Sequence, residues 1–203
     1  MSPLIPLFPL DLVLLPNAPL PLHVFEPRYR EMISECLAEK TCFGVVRLKD
    51  EGLAEIGCTA EIVEVTKKFP DGRMDIVTQG REPFEIMQLN QERSFLRAEV
   101  MYLQDESGRA TESEIVHARK LHGEIMKLAG AREQEGAGAA ESQLSFYLAG
   151  SLPLDLDFKQ SLLGMRSEPE RMHAVISFFE DVLPGLRRAV QVRQRSGGNG
   201  HVH

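Results

Sequence analysis

Hydrophobic periodicity changes once along this chain, near Ser107-Gly108, and that change restricts the possible folds more than any other feature. Before it, apolar residues mostly recur at every second position, as in a strand with one buried face. After it they recur every three to four positions, as in a helix with one apolar stripe. The chain therefore reads as α+β, with a β-rich part followed by a helical part.

The β-rich part opens on an extended run. Prolines at positions 3, 6, 9, 16, 19 and 21 exclude helix there and limit ladder hydrogen bonding. Short edge-type strands are expected around Leu4–Phe8 and Leu20–Leu22. One helix interrupts this region. Pro27 suits its first turn, Tyr29, Met32, Ile33, Cys36 and Leu37 form its apolar stripe, and Phe25 is placed to act as a hydrophobic staple. Further strands are expected at Cys42–Leu48, from Ile56 to Val65, at Met74–Thr78 and Phe84–Leu89 on either side of Gly80, and at Leu96–Tyr102. The apolar phase slips by one residue at Val63, which marks a β-bulge or a strand buried on both faces. Pro70-Asp71-Gly72 is a turn. Five or six short strands suggest a small barrel or sandwich.

In the helical part the spacing predicts helices from about Thr111 to Ala131, around Ala140–Leu148, from the cap Asp155 to Gly164, and onward from the capping box Ser167-Glu168-Pro169-Glu170. Pro184 is expected to end or kink the last of these. Gly130–Ala140 reads as a flexible loop and Ser196–His203 as a disordered tail. The expected division is a barrel lobe over 1–107, a helical bundle over 108–195 and a tail over 196–203.

Charge narrows the function classes. The net charge is −7, and the stretch from Arg187 to His203 carries four arginines and no acid, so the remainder carries −11 once those four are subtracted. A body this acidic repels phosphate backbones, which disfavours nucleic acid as a partner. RNA binding, kept as an alternative reading, would need a basic face hidden in that average, such as Lys67, Lys68, Arg73 and Arg81 around one hairpin. The cysteines Cys36, Cys42 and Cys58 are odd in number and lack CxxC spacing, so they read as reduced thiols. The apolar N-terminus has no basic flank or small-residue cleavage site, and no run approaches the roughly 20 apolar residues of a membrane span. A cytoplasmic location without membrane contact is expected.

No motif asks for catalysis. A Walker loop, a dinucleotide fingerprint, a nucleophile elbow and HExxH are all absent. Gly150-Ser151-Leu152-Pro153 reads as a helix stop. Lys159 and Ser161 sit two apart in a short helix and face different ways. His117 and His122 are five apart, about 140° around a helix, and share no ligand face. His201 and His203 lie in the tail. Glu51, Glu55, Glu61, Glu64, Glu82 and Glu85 read as solvated strand faces. No catalytic residue, metal or cofactor is expected. A hydrolase assembled from distant residues would have to draw on Cys42, Cys58 and His23.

The segment Pro19-Leu20-Pro21-Leu22-His23-Val24-Phe25-Glu26-Pro27-Arg28-Tyr29 closely resembles the signature near the start of the Lon protease N-terminal domain. The opening Pro3–Leu10, Val13-Leu14-Leu15-Pro16, Phe43-Gly44-Val45-Val46, Ile56–Ile62, Asp71-Gly72-Arg73 and Gly80-Arg81 with Phe84 continue the likeness. Weaker matches follow at Leu152-Pro153-Leu154, Lys159-Gln160, Leu162-Leu163 and Glu170-Arg171. The resemblance implies a PUA-like barrel lobe followed by a helical bundle. It also implies engagement of unfolded or tagged polypeptides, with a protease or chaperone component as a further partner. The chain stops where an ATPase would begin, so a stand-alone member without ATPase or peptidase is expected. His23, Phe25, Glu26, Arg28 and Tyr29 are the candidate residues, expected to serve mainly as scaffold. Phe25 and Tyr29 would pack the helix, Glu26 would favour its N-terminus, and Arg28 would pair with a carboxylate. Polypeptide would bind an apolar groove or a sheet edge, at the proline-rich strands or near Leu103–Ala110.

Overall fold

The computed structural model describes residues 3–130 and 143–197, the last four by their backbone only. Six strands come first: β1 (Leu4–Leu10), β2 (Pro19–Val24), β3 (Phe43–Lys49), β4 (Gly52–Lys68), β5 (Met74–Asn90) and β6 (Arg97–Tyr102). Helix α1 (Pro27–Glu39) is inserted between β2 and β3. Helices α2 (Glu112–Ala129), α3 (Leu144–Gly150), α4 (Leu156–Gly164) and α5 (Glu168–Gly197) follow.

The strand pairings close on themselves in the order β5, β4, β3, β1, β6 and back to β5. β1 lies between β3, to which it is parallel, and β6, to which it is antiparallel. The proline-rich opening is therefore an interior strand, contrary to the expected edge. Its prolines are accommodated at Pro6, opposite Arg97, and Pro9, opposite Val46. Adjacent residues of β1 and β3 feed two separate cores. Leu7 and Val46 join Phe84, Ala98 and Val100, while Phe8 and Val45 join the main cluster. Burial on both faces explains why these strands read as continuous apolar runs.

β5 is a single strand, not two separated at Gly80. Its first part pairs with β2 and β4, and its second part pairs with β6. Gly80 stands where the β1–β2 connection crosses the sheet: a Cβ built there would lie 2.2 Å from the Leu15 carbonyl oxygen. Gly80 N–H donates to Ala18 O at 2.9 Å, and Asn17 N–H donates to Gly80 O at 2.9 Å. The glycine admits a crossing chain and leaves the strand intact. The slip at Val63 is a register shift between Ile62 and Glu64.

α1 is entered through Glu26, with Pro27 in the first turn, and buries Tyr29, Met32, Ile33 and Cys36. Phe25 is 58% exposed, so it does not staple the helix. Tyr29 does that work by stacking on Phe8 at 4.1 Å. The Thr111–Glu114 capping box starts α2, and Asp155 caps α4 through the N–H groups of Asp157 and Phe158. α5 runs on through Pro184 to Gly197. Of the end or kink expected at Pro184, the end is not made, and residues 196–197 belong to the helix. The loop expected at 130–140 and the rest of the tail, 198–203, lie outside the described residues apart from Gly130, which caps α2.

One apolar cluster joins Phe8, Ile33 and Phe43 of the strand region to Ile115, Phe146, Leu163 and Phe179 of the helices. Between the halves, Arg171 of α5 is fully buried. It donates from Nη1 and Nη2 to the Asp105 carboxylate at 2.7 and 2.6 Å, and from Nη2 to Glu168 Oε2 at 2.8 Å. Its Nε donates to Ser145 Oγ at 3.1 Å, and its guanidinium lies 4.2 Å from the Phe146 ring centre. Arg166 Nε donates to Gln104 O at 2.9 Å, and Glu106 N–H donates to Arg166 O at 2.7 Å. The Leu103–Ala110 segment is thus tied to α5 and to the link between α4 and α5.

Candidate functional site

The turn from β2 into α1 places His23, Phe25, Glu26, Arg28 and Tyr29 along one wall of a cleft of about 700 Å3. The strand alternation sends Val24 into the core and leaves His23 and Phe25 outward. Pro27 then forces the chain into the helix, so Arg28 and Tyr29 return to the same wall. The remaining walls come from Phe8–Leu10 of β1, Leu48 and Leu53 at the β3–β4 hairpin, and Leu89, Phe95 and Leu96 around the β5–β6 turn. A volume within the roughly 300–1,000 Å3 of known ligand pockets holds several large side chains.

The cleft is apolar where it is deep and polar at its lip. Phe25, Leu48 (49% exposed) and Leu89 (42% exposed) present side chains to solvent beside buried Phe8 and Phe95. Arg28 pairs with Glu26 at 2.9 Å and lies 4.6 Å from the Tyr29 ring centre. His23 Nδ1 faces Asp75 Oδ1 at 2.5 Å, and its ring lies 5.9 Å from that of Phe25. Burial pushes the Tyr29 phenol above its ordinary value, with the Arg28 guanidinium acting in the opposite sense. Tyr29 is thus a neutral packing group. The structure brings all five motif residues to one place but divides their roles, with Tyr29 buried and Phe25 exposed.

Sequence reasoning missed the opposite walls. Leu48, Leu53, Leu89 and Phe95 are ordinary strand-end apolar residues, and only the closure of the sheet brings them opposite the motif. It also missed the His122–Ser151 contact, in which Nε2 lies 2.7 Å from Oγ. Ser151 is the C-cap of α3, as a helix stop requires, and its hydroxyl also lies within hydrogen-bond distance of Leu148 O at 3.1 Å.

The other candidates are dispersed. Burial raises the thiols of Cys42 and Cys58, the opposite of what an attacking thiolate needs, while His23 is engaged with Asp75. In the basic hairpin, Arg73 pairs with Asp71 at 2.7 Å and Arg81 with Glu61 at 2.5 Å. The Lys67 ammonium lies 4.5 Å from the Phe69 ring centre. Among the described residues no group of three His, Cys, Asp or Glu is placed to hold a metal, and no helix is long and apolar enough to cross a membrane.

The profile of the ATP-dependent protease La (LON) substrate-binding domain matches residues 4–181. A Lon protease of Parabacteroides distasonis is 31% identical over 119 residues, 54% of this chain and 14% of that protein. A Lon protease of Anaeromyxobacter dehalogenans is 25% identical over 86% of this chain and 23% of its own length. The chain spans about a quarter or less of these curated relatives. Among solved structures, a Lon N-terminal domain protein from Xanthomonas campestris superposes with a TM-score of 0.69 at 25% identity, over 86% of this chain and 98% of that one. The N-terminal domain of a Mycobacterium avium complex Lon protease has a TM-score of 0.65 at 18% identity, over 88% and 99%. Its likeness is one of fold.

Proposed function

Because this chain belongs to the family of Lon substrate-binding domains, we propose that it is a non-catalytic polypeptide-binding module that captures unfolded or tagged chains in the cleft beside α1. The observation that carries this reading is the convergence of the five motif residues on a mostly apolar hollow with Phe25 exposed at its lip. The closed strand ring supports a PUA-like barrel as the frame. A protease or chaperone component would be the partner that receives the captured chain.

Side-chain capture is favoured over strand addition. Among the described residues β2 is the one strand outside the closed ring, and it pairs there with β5 alone. Pro19 and Pro21, opposite Gln79 and Val77, lack N–H groups. The positions of β2 that face away from β5 therefore offer mostly acceptors to an incoming strand.

Titration of a labelled unfolded protein is expected to saturate at micromolar or weaker affinity. Phe25→Asp should weaken it about tenfold or more, since burying an exposed Phe is worth roughly 1.5–3 kcal/mol. The melting temperature should not change, because Phe25 is exposed. Absence of saturable binding up to about millimolar, or equal binding by the variant, counts against the cleft.

A further inference from the structure

We propose that the cleft selects segments whose large apolar residues are flanked by lysine or arginine, a refinement that rests on reading the cleft as the polypeptide site. Four acids adjoin its lining residues along the chain. Asp11 follows Leu10, Asp50 and Glu51 fall in the hairpin turn between Leu48 and Gly52, and Glu92 follows Gln91; all four are exposed, and Leu10, Leu48, Gly52 and Gln91 line the cleft. None of the four is held in an ion pair among the described residues, whereas the nearby cations are committed elsewhere. Arg28 binds Glu26, and Lys49 shares the Asp157 carboxylate with Arg47, at 3.5 and 2.6 Å. Arg93 bridges Glu31 and Glu35. The lip thus carries uncompensated negative charge around an apolar floor, on a body that is already acidic. Such a field draws in cationic chains and repels acidic ones, and it fades when salt shortens the screening length from about 8 Å at physiological strength to about 3 Å at 1 M.

The recognition is divided by depth. Apolar side chains fill the space between Phe8, Phe95 and Leu53, and the flanking cations reach Asp11, Asp50, Glu51 and Glu92 at the rim. The rim pairs are exposed, so each adds little, and the preference is one of selection more than of total affinity.

The test uses the full chain and two labelled peptides sharing one Phe-Leu-rich core, one flanked by lysines and the other by glutamates. Fluorescence anisotropy at low salt should show the lysine peptide binding about fivefold or more tightly. The gap should close at about 0.5 M salt. Asp50→Lys with Glu51→Lys should shrink or invert it, while the uncharged truncation Phe25→Ala should weaken both peptides alike. Equal affinities, a preference for glutamate, or a gap that survives both high salt and the double variant overturns the proposal. Failure of both peptides to bind overturns the cleft reading itself, so the two failures are distinguishable.

Discussion

Arg171 has no exposed side-chain surface, yet it carries a full charge and satisfies it with Asp105, Glu168, Ser145 and Met165 O. Removing it strands Glu168, which is itself 2% exposed, without its cation. Arg171→Ala should cost roughly 3–5 kcal/mol in urea unfolding. Gly80→Ala should cost about 1–3 kcal/mol, because its Cβ would meet backbone and not a side chain that can turn away. The thiol of Cys36 is pushed up to about 11 by burial. An unfolded chain releases that proton near pH 8.5. Below that pH both states hold the proton and the stability is fully present. It is lost as pH rises from about 8.5 to 11, where the unfolded chain ionises first. The urea midpoint should therefore fall between pH 8 and 10, and fall less in Cys36→Ala; an identical fall in both would exclude the thiol as a cause.

At the scale of elements, α5 shows what a local rule misses. Pro184 cannot donate to the Glu180 carbonyl and normally ends a helix, yet α5 continues to Gly197. The anchoring of α5 comes earlier, through buried Met172, Val175, Phe179 and Leu183. Pro184→Ala should raise stability by about 1 kcal/mol or more, read from the thermal midpoint and helical circular dichroism. No gain would mean that the helix past Pro184 contributes nothing to the folded state. The Asp155 cap of α4, the stripe of α1, the bulge at Val63 and the strand positions were legible because their signals are local. The continuity of β5 was not, because Gly80 looks like a break until the Leu14–Leu15 chain is seen crossing it. The interior position of β1 was hidden for a related reason: prolines argue against a central strand when only their missing donors are counted. The motif was legible as a unit, but its opposite wall depends on the closure of the sheet and has no sequence pattern.

For the whole molecule, the shared core matters most. Phe8 and Phe43 belong to the same apolar cluster as Leu163 and Phe179, and Asp105–Arg171 ties the chain passing between the halves. The strand and helical halves should therefore unfold together. Far-ultraviolet circular dichroism and tyrosine fluorescence, from Tyr29 and Tyr102 in the strand half and Tyr147 in the helical half, should report coincident urea transitions. Two separate transitions would show that the halves are independent. On the reading proposed above, such a frame would hold the cleft open and let binding proceed by side-chain insertion without remodelling the sheet. The most direct check on that claim is backbone amide chemical-shift mapping during titration with an unfolded polypeptide. Shifts should concentrate at Leu22–Tyr29, Leu48–Leu53 and Leu89–Leu96. Shifts centred on α2 and α5, with those three segments unmoved at saturation, would contradict it.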